Sequence, residues 1–258
     1  MKKKESVEDI KIKSKRIKEE EILAFIGEYE SDDRKSVQLI LERLENRWNK
    51  YQKELFRLEQ LKEKEREYHK EYRWICGMDE AGRGPLAGPV VAGAVILPEE
   101  YSLLKLNDSK KLTPDEREFL YEEIRKQAVA VGVGVVGPKK IDEINILQAT
   151  YLAMEYAVKD LDQVPDLLLN DAVVVPNIPI YQVGIVKGDA TCACIAAASI
   201  IAKVTRDHLM EDYDERYPEY GFKKHKGYGT KEHYEAIKKA GPCEIHRMTF
   251  LKPKDLPE

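Results

Sequence analysis

Hydrophobic positions along this chain follow two different rules, and the change comes near Trp74. After it, short apolar runs alternate with amphipathic stretches. Runs at 74–79, 88–97, 128–137, 166–171 and 178–186 predict strands. Between the second and third runs, Thr113-Pro114-Asp115-Glu116 predicts a helix start: a threonine N-cap, a proline in the first turn and a glutamate that completes a capping box. That helix is expected to run to about Gln127. A second helix is expected over 140–160, with Ile144, Leu147, Tyr151, Met154 and Val158 on one face. A third, rich in alanine, is expected over 190–215. The continuous apolar runs 90–97 and 129–136 predict a sheet covered on both faces. The class is α/β with a mixed sheet.

Before Trp74 the spacing is helical throughout. Residues 6–29 predict one helix, with Ile22, Phe25, Ile26 and Tyr29 on a face, and Glu30-Ser31-Asp32-Asp33 a break. Val37, Leu41, Leu44, Trp48, Tyr51, Leu55 and Leu58 then alternate steps of four and three, the spacing of an a/d seam. This seam fits a helical hairpin, a self-associating coiled coil, or a module that binds nucleic acid or a protein partner. The expected division is a helical module over 1–70 and an α/β domain over 72–258.

Charge sharpens this division. The first 74 residues hold 20 Lys/Arg and 18 Asp/Glu, whereas the whole chain carries a net charge of −4. An acidic total does not exclude nucleic-acid binding, because local patches set the electrostatic footprint. No apolar run approaches a membrane span, and the basic start Met1-Lys2-Lys3-Lys4 is followed by no apolar region, so a cytoplasmic protein without a membrane is expected. Cys76, Cys192, Cys194 and Cys243 form no C-x-x-C pair and read as buried free thiols. His225, His233 and His246 lack zinc spacing and read as surface or structural residues.

The candidate chemistry lies in acids at strand ends. Asp79 and Glu80 close the first strand, Asp171 closes the fourth, and Asp189 precedes the alanine-rich helix. Taken singly, Asp189 reads as an N-cap and Asp171 as a turn residue. If the first and fourth strands are neighbours, the acids meet at one rim. Clustered carboxylates raise one another's pKa unless a cation lies between them, and Mg2+ or Mn2+ suits such an oxygen-rich site. A glycine-flanked arginine, Gly82-Arg83-Gly84, stands beside the first pair.

The motifs carry a resemblance. The stretch from Gly77-Met78-Asp79-Glu80-Ala81-Gly82-Arg83-Gly84 to Pro89 resembles the first motif of bacterial ribonuclease HII. Asp108-Ser109-Lys110-Lys111-Leu112 resembles its second. Leu169-Asn170-Asp171 and Lys187-Gly188-Asp189-Ala190 resemble the segments with its third and fourth acids. The stretch from Ala197 to Asp207 and the loop His225-Lys226-Gly227-Tyr228-Gly229-Thr230 resemble later motifs. The likeness covers roughly 72–250, and Asn170 stands where that family more often has a small residue or isoleucine. It implies a ribonuclease H-like mixed sheet flanked by helices, whose coarse order is three strands, helix, strand, helix, strand, helix. The helical 1–70 and the Gly-Arg-Gly sequence separate it from the sibling HIII type, whose extension is usually β-rich.

What the resemblance implies for function is specific. Asp79, Glu80, Asp171 and Asp189 would be catalytic metal ligands for two Mn2+ or Mg2+ ions. The substrates would be RNA/DNA hybrids and duplex DNA with an embedded ribonucleotide, cut 5′ to it to leave 3′-hydroxyl and 5′-phosphate ends. Gly82, Arg83 and Gly84 would read the ribose, since glycine lets backbone N–H and C=O groups approach a 2′-hydroxyl. Tyr228 would pack on the following sugar. Ser109, Lys110, Lys111, Ser199, Lys203 and Arg206 are candidate phosphate contacts. A monomer is expected, with 1–70 raising substrate affinity or meeting a replication or repair partner.

Overall fold

The computed structural model describes residues 5–257. Two compact units emerge, Met1–Gln60 and Leu61–Glu258.

In the first unit, α1 (Val7–Arg16), α2 (Ile22–Tyr29) and the opening part of α3 (Lys35–Tyr68) share one core. Ile10, Ile22, Phe25 and Tyr29 pack against Val37, Ile40, Leu41 and Leu44. The leading half of the heptad seam is therefore buried in a core shared by three helices. The single helix expected over 6–29 is divided at 17–21, and Ser6 caps α1 by accepting from the Asp9 amide.

In the second unit a five-stranded mixed sheet has the order β3-β2-β1-β4-β5. Its strands are β1 (Ile75–Ala81), β2 (Val90–Ile96), β3 (Ala130–Val136), β4 (Leu167–Asp171) and β5 (Tyr181–Ile185). β1, β2 and β3 run antiparallel in sequence, whereas β1, β4 and β5 run parallel. Thr113 caps α4 (Pro114–Gln127) with the expected capping box. α5 (Pro138–Lys159) lies on one sheet face over Met78, Ala92, Ala94 and Ile96. α7 (Ala193–Arg216) lies on the other face against β1 and β2. Its close approach depends on Gly93, where a Cβ would collide with the Ala198 carbonyl.

Three expectations fail for local reasons. The alanine-rich helix does not begin at 190. A short turn, α6 (Gly188–Thr191), is followed by extended Cys192 before α7 starts. The helix expected over 140–160 kinks at Asn145, whose φ of 64° interrupts it; its side chain caps the second segment through the Leu147 and Gln148 amides. Of the expected face, Met154 is buried and Ile144, Tyr151 and Val158 pack against the core, whereas Leu147 is exposed; Ala149, Ala153 and Ala157 are buried beside them. Finally, no helix joins β4 to β5. A loop over 172–180 connects them, and buried Asn170 supports it by donating to the Val173 carbonyl and to Gln182 Oε1. Short α8 (Phe222–His225) and α9 (Lys231–Ala240) complete the helices.

Among the described residues, no helix is long and apolar enough to cross a membrane.

Candidate active site

The sheet register brings two of the acids together. Gly77 is opposite Leu169 and Met78 opposite Asn170 on parallel neighbours. Side chains alternate across a strand, so Asp79 and Asp171, each two residues beyond the first pair, lie on the same face at the same sheet end. This is the α7 face, and Glu80 alternates to the other.

Each acid has an identifiable holder. Asp79 is 6% exposed, and its Oδ1 accepts the Glu80 amide at 2.8 Å. Burial, then the adjacent Glu80 charge, pushes its pKa up to about 8, while the Ser199 hydroxyl pulls the other way. Glu80 is also raised by burial, against the Arg83 guanidinium 3.0 Å away. Asp171 accepts the Gly188 amide at 2.8 Å and is raised by burial. Buried Asp189 receives Lys110 Nζ at 3.4 Å. A left-handed Lys187, φ 57°, turns the chain from β5 so that Gly188 and Asp189 reach this rim. Fields from Glu80 and Asp171 on Asp79, and from Asp189 on Asp171, join the four electrostatically.

An all-carboxylate set in which Asp79, Glu80 and Asp171 are raised in part by neighbouring acids fits a hard divalent cation. The set is open. Among the described residues, the group whose three possible ligand atoms lie mutually within 4.8 Å is a different one, Glu65 with Cys192 and Cys194. There the Glu65 carboxylate accepts the Cys194 amide in the first turn of α7. The cysteines are free thiols, three of them buried.

The wall beside the acids is the turn over 82–89. Arg83 and Gly84 are exposed, while Gly82 is buried with a φ of +92°. Tyr228 is 46% exposed, and its ring faces Gly84 closely enough that a Cβ there would stand 3.9 Å away. The Leu86 amide donates to the Gly227 carbonyl, the Gly88 amide to that of Ile245, and the Arg247 amide to that of Leu86. C-terminal segments thus hold the turn in place.

The expected phosphate contacts divide. Lys110 and Lys111 are exposed. Lys203 pairs with Asp207 and lines a groove of about 620 Å3 with Arg117, Lys223, Lys224 and Lys226. Ser109 and Ser199 are instead buried and share a hydroxyl–hydroxyl bond of 2.9 Å. Arg206 is also inside, 1% exposed, with its guanidinium on the Pro89, Ala87 and Lys226 carbonyls. These three support the site from behind. Sequence reasoning missed Arg247 altogether, although it is fully buried and bonded to Gly82, Arg83 and Gly88. A lone arginine in a C-terminal loop gives no local signal.

A mixed sheet with acids at the adjoining ends of parallel β1 and β4, covered by helices, defines a ribonuclease H-like hydrolase. A family model described as Ribonuclease HII matches residues 76–252, and one described as Ribonuclease HII N-terminal domain matches 6–69. Ribonuclease HII of Lachnoclostridium phytofermentans is 53% identical over 224 residues, 87% of this chain and 88% of that protein. Ribonuclease HII of Bacillus subtilis is 50% identical over 250 residues, 95% of this chain and 96% of that protein. The crystal structure of ribonuclease H2 from Pyrococcus horikoshii superposes with a TM-score of 0.57 at 31% identity, covering 68% of this chain and 93% of that one. Bst-RNase HIII in complex with Mn2+ shares the fold, with a TM-score of 0.55 at 18% identity over 70% of this chain and 68% of that one. The chain belongs to the ribonuclease HII family. It is a ribonuclease H, a hydrolase with activity on RNA/DNA hybrids, of a divalent-metal-dependent kind.

Proposed function

We propose that this enzyme, besides hydrolysing RNA in hybrids, nicks duplex DNA on the 5′ side of a single embedded ribonucleotide, leaving 3′-hydroxyl and 5′-phosphate ends. In this reading Asp79, Glu80, Asp171 and Asp189 hold two Mg2+ or Mn2+ ions. Such ions, when bound, supply Lewis-acid activation of a water and charge stabilisation at the leaving oxygen. The remaining work falls to the chain itself. Asp79 and Asp171 hold their carboxylates at one rim through the Glu80 and Gly188 amides. Arg83 offers a planar fork to a phosphate. The backbone of Gly82-Arg83-Gly84 bonds the 2′-hydroxyl, and Tyr228 packs on the sugar that follows. Lys110 and Lys203 steer the phosphate backbone.

The observation that carries this reading is the convergence of raised acids with an exposed Arg83-Gly84 turn and Tyr228. Asp79, Glu80 and Asp171 are each raised in part by a neighbouring carboxylate, a cost to the fold that a binding role next to phosphate does not need. The test is cleavage mapping on duplex DNA with one ribonucleotide, in Mg2+ and in Mn2+. A cut 5′ to the ribonucleotide is expected. Inertness there with activity on long hybrids would remove the single-ribonucleotide activity.

The N-terminal helices act in this reading as an accessory module that raises substrate affinity or meets a replication or repair partner. Binding at several salt concentrations with and without the module tests this. An unchanged affinity and salt slope would exclude the nucleic-acid version.

A further inference from the structure

Arg206 and Arg247 are two buried cations without an acid in contact. Buried charges are ordinarily paired, because removing an ion from water is costly. Among the described residues neither makes an ion pair, and all six of their hydrogen bonds go to backbone carbonyls. Arg247 donates through Nε to Gly88 at 2.9 Å, through Nη1 to Arg83 at 2.9 Å and through Nη2 to Gly82 at 2.6 Å. Arg206 donates through Nε to Pro89 at 3.0 Å, through Nη2 to Ala87 at 3.1 Å and through Nη1 to Lys226 at 3.0 Å. Burial, and then repulsion from Arg206, brings the Arg247 pKa down from 12.5 to about 9. A fold that keeps both arginines bears a real cost to hold one turn.

The peptide plane shows what that hold achieves. A trans peptide points its C=O and N–H in opposite directions. The Gly82 carbonyl shares a plane with the Arg83 amide, and the Arg83 carbonyl shares one with the Gly84 amide. Arg247 draws both carbonyls inward, so both N–H groups face outward. Among the described residues no hydrogen bond engages the Arg83 or Gly84 amide, and both residues are exposed. Arg206 reinforces this from the side. A Cβ on Gly82 would collide with its side chain, and its Lys226 bond ties in the loop that carries Tyr228.

We infer that Arg247 is a positioning residue for ribose selection: it aims the Arg83 and Gly84 amides at oxygen acceptors of the ribonucleotide, with Arg206 as its brace. This deepens the proposed function and rests on that reading of Gly82-Arg83-Gly84. Lysine at 247 would keep the charge but not the three-armed fork. A turn free to rotate by one peptide loses its aimed donors, although general attraction to the phosphate backbone remains.

The test uses full-length protein and two duplexes that differ only in one ribose or deoxyribose. Binding is measured in an Asp79→Asn background and turnover with Asp79 intact. With Arg247→Lys, the ribose-over-deoxyribose binding preference is expected to fall about tenfold, since geometric misplacement at a hydrogen-bonding site is costly. Affinity for the all-DNA duplex is expected to stay within about twofold, because lysine retains the charge. On the ribonucleotide duplex kcat is expected to fall more than KM rises. An unchanged preference, or an equal loss on both duplexes, overturns the inference. If Arg247→Lys does not fold, Gly84→Pro, which deletes one outward N–H and leaves Arg247 in place, decides: a retained preference overturns it. Absence of any ribose preference or nick in the wild-type chain sinks the proposed function itself, and so separates the two failures.

Discussion

His233 and His246 meet Nε2 to Nε2 at 3.1 Å, and their other bonds fix where the proton between them sits. His233 Nδ1 must donate to the Tyr228 carbonyl at 2.9 Å, which leaves its Nε2 bare. His246 Nδ1 accepts the Cys243 amide at 2.9 Å, so its Nε2 carries the hydrogen. The chain of bonds is complete only when both rings are neutral. Burial accordingly brings both pKa values down from 6.5 to about 4.

A histidine whose folded pKa lies below its unfolded value adds stability above pH 6.5. That stability is lost as pH falls from 6.5 towards 4. Each could contribute up to about 3 kcal/mol at neutral pH by this linkage. Urea unfolding of wild type and His233→Gln between pH 7.5 and 4 is the check. The wild type is expected to lose its advantage over the variant as the medium turns acid. Parallel curves would show that the ring pair has no such role.

The same logic runs in the opposite direction at Asp79. Its folded pKa near 8 lies above the 3.8 of a free aspartate, so folding favours the neutral acid. The stability this gives is full below pH 3.8 and is lost as pH rises through 8. In metal-free buffer, Asp79→Asn is therefore expected to be more stable than wild type, by at least about 1 kcal/mol at pH 8.5, with a gap that widens from pH 4 upward. Cleavage is expected to vanish while hybrid binding persists. Melting curves in chelator, set beside a nicking assay, test both; normal turnover by the variant would remove Asp79 from the catalytic set.

Much of this architecture is local in origin and was legible. The capping box at Thr113 and the apolar runs of β1, β2 and β3 write themselves into neighbouring residues. The acids were legible as strand ends, and their meeting needed only the adjacency of β1 and β4. What stayed hidden depends on distant partners. Arg206 looks like a surface cation on a polar helix face, but the carbonyls that surround it come from residues 87, 89 and 226. Arg247 is bound to the turn at 82–88 across 159 to 165 residues. The Asn145 kink is a side chain outcompeting the backbone for two amides, which helical periodicity does not register.

Asn170 is the departure from the family pattern that the structure explains. It is fully buried, and its Nδ2 binds the Val173 carbonyl and Gln182 Oε1. Gln182 Oε1 also accepts the Val175 amide, and its Nε2 donates to the Val175 and Ile178 carbonyls. This polar plug stands in for the missing helix between β4 and β5. Asn170→Ala takes the donor from the Val173 carbonyl and one of two from Gln182 Oε1, and is expected to cost about 1–3 kcal/mol. Asp171 follows directly, so nicking should weaken alongside stability. Denaturation midpoints give the first number, and a variant as stable as wild type would deny the loop its support.

The boundary of the N-terminal module can be tested with two truncations. A division at residue 70 follows composition, whereas Leu61, Lys62 and Glu65 are buried members of the second unit. Lys62 Nζ donates to the Tyr101 carbonyl at 2.7 Å, and the Tyr101 hydroxyl reaches Glu65 at 3.5 Å. Glu65 also accepts the Cys194 amide at the start of α7, the helix that carries Ser199 and Arg206. Loss of Glu65 leaves that buried donor unpaired, a penalty of about 1–3 kcal/mol, and loss of Leu61 adds about 1.5–3 kcal/mol of apolar burial. A chain that starts at 61 is therefore expected to outlast one that starts at 71 by at least about 2.5 kcal/mol in urea. Because α7 backs the turn over 82–89, the shorter chain should also nick more slowly at equal concentration. Equal stability of the two would place the residues from 61 to 70 with the accessory helices after all.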